Sequence, residues 1–172
     1  MSASNKDITQ IRRLGTCRVN FGGRDMGYTI GGVEVTITTD WVDILVDDFG
    51  TVPVDAIDVG TNIEVKVPLA QASLDNYDDA YDTGLRTRLG GRGFNQISFG
   101  RTTGDSIVKR RLVLDPLNDV DNIVLYLAGV ISVDPLGFTN EGIRILGLTF
   151  KAYIDENRAE GDKLFRIGGG MS

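Results

Sequence analysis

Val33-Glu34-Val35-Thr36-Ile37-Thr38 alternates strictly, with Val33, Val35 and Ile37 on one face and Glu34, Thr36 and Thr38 on the other. Successive side chains of an extended chain point to opposite sides, so this stretch predicts a half-buried β-strand. Asn62–Val67 repeats the pattern, with Ile63, Val65 and Val67 inward. Pro68 is expected to end that strand. Between the two, Asp40–Gly60 interleaves Trp41, Ile44, Val46, Phe49, Val52, Val54, Ile57 and Val59 with Asp40, Asp43, Asp47, Asp48, Asp55 and Asp58. Phe49-Gly50-Thr51 supplies a turn, and a long hairpin or extended loop is predicted. Two readings of it stay open: a surface hairpin solvated by its aspartates, or an arm whose apolar side docks on another subunit.

Working outward, Thr16–Asn20 and Met26–Ile30 are short strand candidates around a Gly22-Gly23 turn. Ile107–Leu114, Ile123–Val133 and Ile143–Ile154 read as strands, the second of them central. Ile123–Val133 is the longest apolar run, and it is too short to span a bilayer. The convincing helix is Leu69–Tyr81, where Ala70, Leu74, Tyr77 and Tyr81 recur at helical spacing. Asp75, Asp78, Asp79 and Asp82 sit toward its C-terminal end and oppose the helix dipole, so a basic partner is expected, with solvent as the alternative. With 22 glycines and 4 prolines in 172 residues, turns between strands are favoured over a helical bundle. The expected fold is mainly β: an antiparallel β-sandwich or small β-barrel with one flanking α-helix. The expected division is an N-terminal arm at 1–15, a β domain at 16–154, and a polar C-terminal segment at 155–172 anchored by Leu164, Phe165 and Ile167. Within the domain lie a projecting hairpin at 40–61, a helix at 69–82 and a Gly/Arg-rich loop at 84–106, with a short strand at Gln96–Phe99.

The chemistry on offer is narrow. There is no histidine, which removes the commonest general base and neutral metal ligand. A single cysteine, Cys17, can form neither an internal disulfide nor a cysteine-rich zinc site, and a reducing compartment is the natural reading. Gly90-Gly91-Arg92-Gly93 lacks the lysine and hydroxyl of a phosphate-binding loop. The aspartates of Asp75–Gly84 do not follow calcium-loop spacing. Neighbouring carboxylates such as Asp47-Asp48 and Asp78-Asp79 point apart on a regular element and make no acid–base pair. No catalytic residue, metal site or cofactor is expected, and the chain is not expected to be an enzyme. The opening Met1–Asp7 lacks the apolar core of a secretory signal, so synthesis as a soluble cytoplasmic chain is expected.

Charge is sorted along the chain. Residues 34–82 carry twelve acidic side chains against Lys66 alone. Residues 85–111 carry Arg86, Arg88, Arg92, Arg101, Lys109, Arg110 and Arg111 against Asp105. The blocks can neutralise each other within a subunit, meet between copies head to tail, or leave the basic block for nucleic acid. The overall charge of −6 and a sparse supply of aromatics weigh against the last.

Two stretches carry a family resemblance. One is Gly50-Thr51-Val52-Pro53-Val54-Asp55 followed by Val59-Gly60-Thr61-Asn62-Ile63-Glu64-Val65-Lys66-Val67-Pro68-Leu69-Ala70, with Leu74-Asp75-Asn76 beyond. The other is Leu148-Thr149-Phe150-Lys151-Ala152-Tyr153-Ile154-Asp155-Glu156, closed by Lys163-Leu164-Phe165-Arg166-Ile167-Gly168. Together, over about a third of the chain, they resemble the tail tube proteins of tailed bacteriophages, a family related in fold to the type VI secretion tube. The resemblance implies a virion tail protein assembled in the host cytoplasm. Six copies would close a ring, and rings would stack around a channel that DNA crosses without sequence-specific binding. Implied further partners are a tape-measure protein, a tube initiator, a tail terminator and a sheath; no membrane is implied. Expected subunit or ring contacts are Trp41, Ile44, Phe49, Val52 and Ile57 on the hairpin and Arg86, Arg88, Arg110 and Arg111 in the basic block. The competing expectations are another virion component (initiator, terminator or capsid decoration) and a β-sandwich binding module for carbohydrate or nucleic acid.

Overall fold

A computed structural model describes residues 16–81, 85–87, 96–98, 103–117, 121–137 and 142–169, with 85–87 described as backbone alone. Strands take 51% of the described residues, which hold one α-helix, so the fold is mainly β. The strands are β1 (Cys17–Phe21), β2 (Arg24–Asp25), β3 (Glu34–Ile44), β4 (Asp55–Leu69), β5 (Leu85–Thr87), β6 (Gln96–Ser98), β7 (Arg110–Pro116), β8 (Ile123–Val133), β9 (Leu146–Tyr153) and β10 (Phe165–Ile167). The helix α1 is Leu74–Tyr81. Eight strands form one antiparallel sheet in the order β2-β1-β7-β8-β9-β4-β3, with β10 on β8, and β5–β6 form a separate ribbon. The expectation of a sandwich or small barrel is thereby replaced, among the described residues, by a single open sheet.

The sheet encloses a core because it curls. Neighbouring strands lie about 4.8 Å apart, so β1 and β9, three steps distant, would be about 14 Å apart if flat. Yet the rings of Phe21 on β1 and Phe150 on β9 have centroids 5.0 Å apart. Two register shifts in β8, opposite Arg110–Leu112 and at Val130–Ser132, supply bends of the kind that curve a sheet. On the inner face Val19, Phe21, Ile63, Val65, Val67, Leu69, Leu112, Leu114, Leu125, Leu146, Leu148 and Phe150 are almost completely buried.

Several boundaries differ from the sequence reading. The strand expected to stop at Pro68 runs on to Leu69, with Pro68 opposite Gly147. Proline is tolerated there because Pro68 turns its hydrogen-bonding side away from β9: its carbonyl accepts from the Ile30 N–H at 2.9 Å. The helix expected over 69–82 therefore begins later, at Leu74, where the Ser73 hydroxyl accepts from the Asn76 N–H at 3.3 Å as an N-cap. Its buried residues are Asn76, Asp78, Asp79 and Ala80, while Leu74 and Tyr81 are exposed. Met26–Ile30 is not a strand but contributes a single bridge, Thr29 to Leu69. The loop expected over 84–106 contributes the two strands of the small ribbon. The 1–15 arm lies outside the described residues.

Candidate assembly interface

The β3–β4 hairpin is the feature that the core does not use. The β4–β9 ladder ends at Glu64 opposite Lys151. From there outward, Asp55–Ile63 pairs with β3 alone, as far as Ile44 opposite Asp55. A 3-10 turn at Asp47–Phe49 and the glycine Gly50, at φ 62°, carry the chain across the tip. Five residue pairs beyond Thr39 and Thr61 at about 3.3 Å each give a ribbon roughly 17 Å long, before the tip is counted. An isolated two-stranded ribbon is marginal in water.

The ribbon is apolar on both sides for a specific reason. At Asp40–Trp41 the register shifts, so that Asp40 faces Gly60 and Trp41 faces Asp58, leaving Val59 as an extra residue in β4. Strict alternation would place Ile57, Val59, Thr61 and Ile63 on one face. The bulge instead moves Ile57 across to join Val42 and Ile44, while Trp41 stays on the face of Ile37 and Thr39. Trp41 is 61% exposed and Phe49 63%, and Val42, Leu45, Val52, Val54, Ile57 and Val59 are also exposed.

The expected contact residues thus fall into three groups. Trp41, Phe49, Val52 and Ile57 are exposed on the arm, with Ile44 half-buried beside them. Arg110 is engaged within the subunit: its Nη1 donates to Asp79 Oδ1 at 2.8 Å, and its guanidinium lies 5.6 Å from the Phe21 ring centroid. Asp79 is 4% exposed, and its Oδ2 accepts from the Arg24 Nε and Nη2. Beside it Asn76 accepts from Arg24 Nη2 at 2.9 Å and donates to the Met26 and Gln71 carbonyls. The basic partner anticipated for the acidic helix end is therefore present as two arginines, and here the acidic and basic blocks meet inside one chain. Arg111 forms the third group; it is exposed on the outer face of β7. Arg86 is described only as backbone, opposite Ile97, and Arg88 lies outside the described residues.

A cluster near the C-terminus was not singled out from sequence. After Tyr153 the chain leaves the sheet and re-enters at Phe165, so β9 and β10 occupy the same side of β8 end to end. The Asp155 N–H bonds to the Lys163 carbonyl at 2.9 Å and closes the excursion. Within it the Tyr126 hydroxyl donates to Asp162 Oδ1 at 2.5 Å, and Arg158 pairs with Asp162 at 3.1 Å while stacking 3.5 Å above the Tyr126 ring. This hydrogen bond raises the Tyr126 pKa and lowers that of Asp162. Alternation was the available signal: Phe165 and Ile167 share one side of the strand, and Arg166 falls on the other.

Among the described residues no group of three or more Cys, Asp or Glu side chains is placed to hold a metal ion, and no helix is long and apolar enough to cross a membrane. No protein-family model matches the chain, and no curated protein sequence matches it.

Proposed function

We propose that this chain is a non-enzymatic structural subunit that assembles with copies of itself into the tail tube of a bacteriophage, as stacked hexameric rings around a channel for DNA. The observation that carries the reading is the ribbon beyond Thr39 and Thr61, apolar on both faces and left uncovered by the described residues of its own subunit. Clustered exposed apolar side chains mark interaction sites, and their natural cover is another protein. The outer edge of β3 supports the same reading. Among the described residues its eleven residues pair on one side only, and such an edge invites a neighbouring strand. Copies joined edge to edge would complete as a ring the barrel that one open sheet does not close. An acidic total suits passage of DNA, since a basic wall would hold the phosphates.

Negative-stain electron microscopy of the purified chain at high concentration, with light scattering on the same sample, tests the proposal. Rings of six or hollow tubes are expected. A monodisperse monomer at every concentration, together with its absence from tube-like particles in virions, overturns it.

A further inference from the structure

The Arg158–Tyr126 cluster borders a cavity of about 270 Å³ walled by Arg111, Tyr126, Asp155, Arg158 and Arg166. We propose that this cavity is a socket for an aspartate carboxylate on the β3–β4 arm of a second copy of the chain, an inference that rests on the self-assembling reading above. Four charged side chains line the cavity, and two of them, Asp155 and Arg158, are already engaged. Asp155 accepts from the Asn157 N–H at 3.1 Å and its Nδ2 at 3.2 Å. Asp162 is held by Tyr126 and Arg158. The Arg166 Nε, by contrast, is buried without a hydrogen-bond partner among the described residues, and the exposed Arg111 also lines the cavity. A pair of guanidinium groups lining one cavity is matched by the oxygens of a carboxylate, which accept from their N–H groups.

Charge identifies the occupant. The arm carries Asp40, Asp43, Asp47, Asp48, Asp55 and Asp58 with no lysine or arginine between Asp40 and Gly60. Asp47 and Asp48 lie in the exposed tip turn, next to Phe49. An acidic tip entering a basic socket makes a head-to-tail contact, which repeats from copy to copy. A polyphosphate ligand is less well matched, because the chain as a whole carries −6.

A charge exchange tests this. The tip is reversed with Asp47→Lys and Asp48→Lys, and the socket with Arg111→Glu and Arg166→Glu. Arg111→Glu alone serves as the second socket variant, since an exposed side chain leaves folding intact, checked by circular dichroism. Each reversal alone should raise the concentration for half-association by about tenfold or more, and mixing the two reversed proteins should restore it. Trp41 is the single tryptophan, so its emission should shift to the blue whenever arms dock. Unchanged association in the single reversals, or no recovery on mixing, overturns the socket while leaving self-assembly standing. A wild-type chain that never associates removes the reading beneath it. Binding of a single-stranded oligonucleotide that Arg111→Glu abolishes, with assembly intact, assigns the cavity to phosphates and overturns it too.

Discussion

Asp79 ties the helix to the sheet through two arginines, from β2 and from β7, and its burial makes that role costly to vacate. Asp79→Ala leaves two half-exposed guanidiniums without their shared acceptor; a loss of about 2 kcal/mol is expected in urea unfolding, discounted from a fully buried pair because both arginines reach solvent. Gly129 is fixed by a different constraint: a Cβ there would lie 2.7 Å from Ile107 Cδ1 and 3.2 Å from the Val108 carbonyl. Gly129→Ala should therefore destabilise by roughly 1–3 kcal/mol in the same assay. Partial burial pushes the Cys17 thiol up to about 11 from its usual 9. Its thiolate fraction at pH 8 should be on the order of 100-fold below that of the unfolded chain, and labelling by a disulfide reagent correspondingly slow. The sign of the linkage follows. The folded state holds this proton more tightly, so its contribution to stability is complete below pH 9 and is lost as pH rises toward 11. The need for a basic partner near Asp79 was legible from the helix dipole. That Arg24, 55 residues away in sequence, would help supply it was not, because long-range polar pairs leave no local periodicity.

Elements were legible where alternation was clean. Ile123–Val133 has the expected bounds, and the Gly22-Gly23 turn joins β1 to β2 with both glycines at positive φ. Helix α1 was misjudged at its start because Ala70, Leu74 and Tyr77 satisfy a helical period while Pro68-Leu69 still belongs to the sheet. The hairpin was legible as a hairpin, but its second apolar face was not, since no rule of alternation announces an extra residue at Val59. Trp41→Ala combined with Phe49→Ala should change subunit stability by less than about 1 kcal/mol, both side chains being exposed, and should abolish or strongly weaken association in sedimentation. Normal tubes from the double variant would dissociate the arm from assembly.

For the whole molecule, segregation of charge makes association sensitive to salt. Raising ionic strength from about 0.1 M to about 1 M shortens the screening length from ~10 Å to ~3 Å, so the self-association constant should fall. A constant that rises instead would mean that the apolar surface of the arm governs the contact. Composition foretold a β-rich chain. It could not foretell one curled open sheet, because the choice between layers and curl is made by bulges in β8 and by contacts such as Phe21 on Phe150. The bulge at Val59 acts at this scale too. A strand with one residue in excess bends and twists at that point, so the direction in which the tip points is set there and not in the core. Gain or loss of a single codon at this position would swing the reach of the molecule like a re-hung gate. The tip could thereby be re-aimed without any substitution in the core.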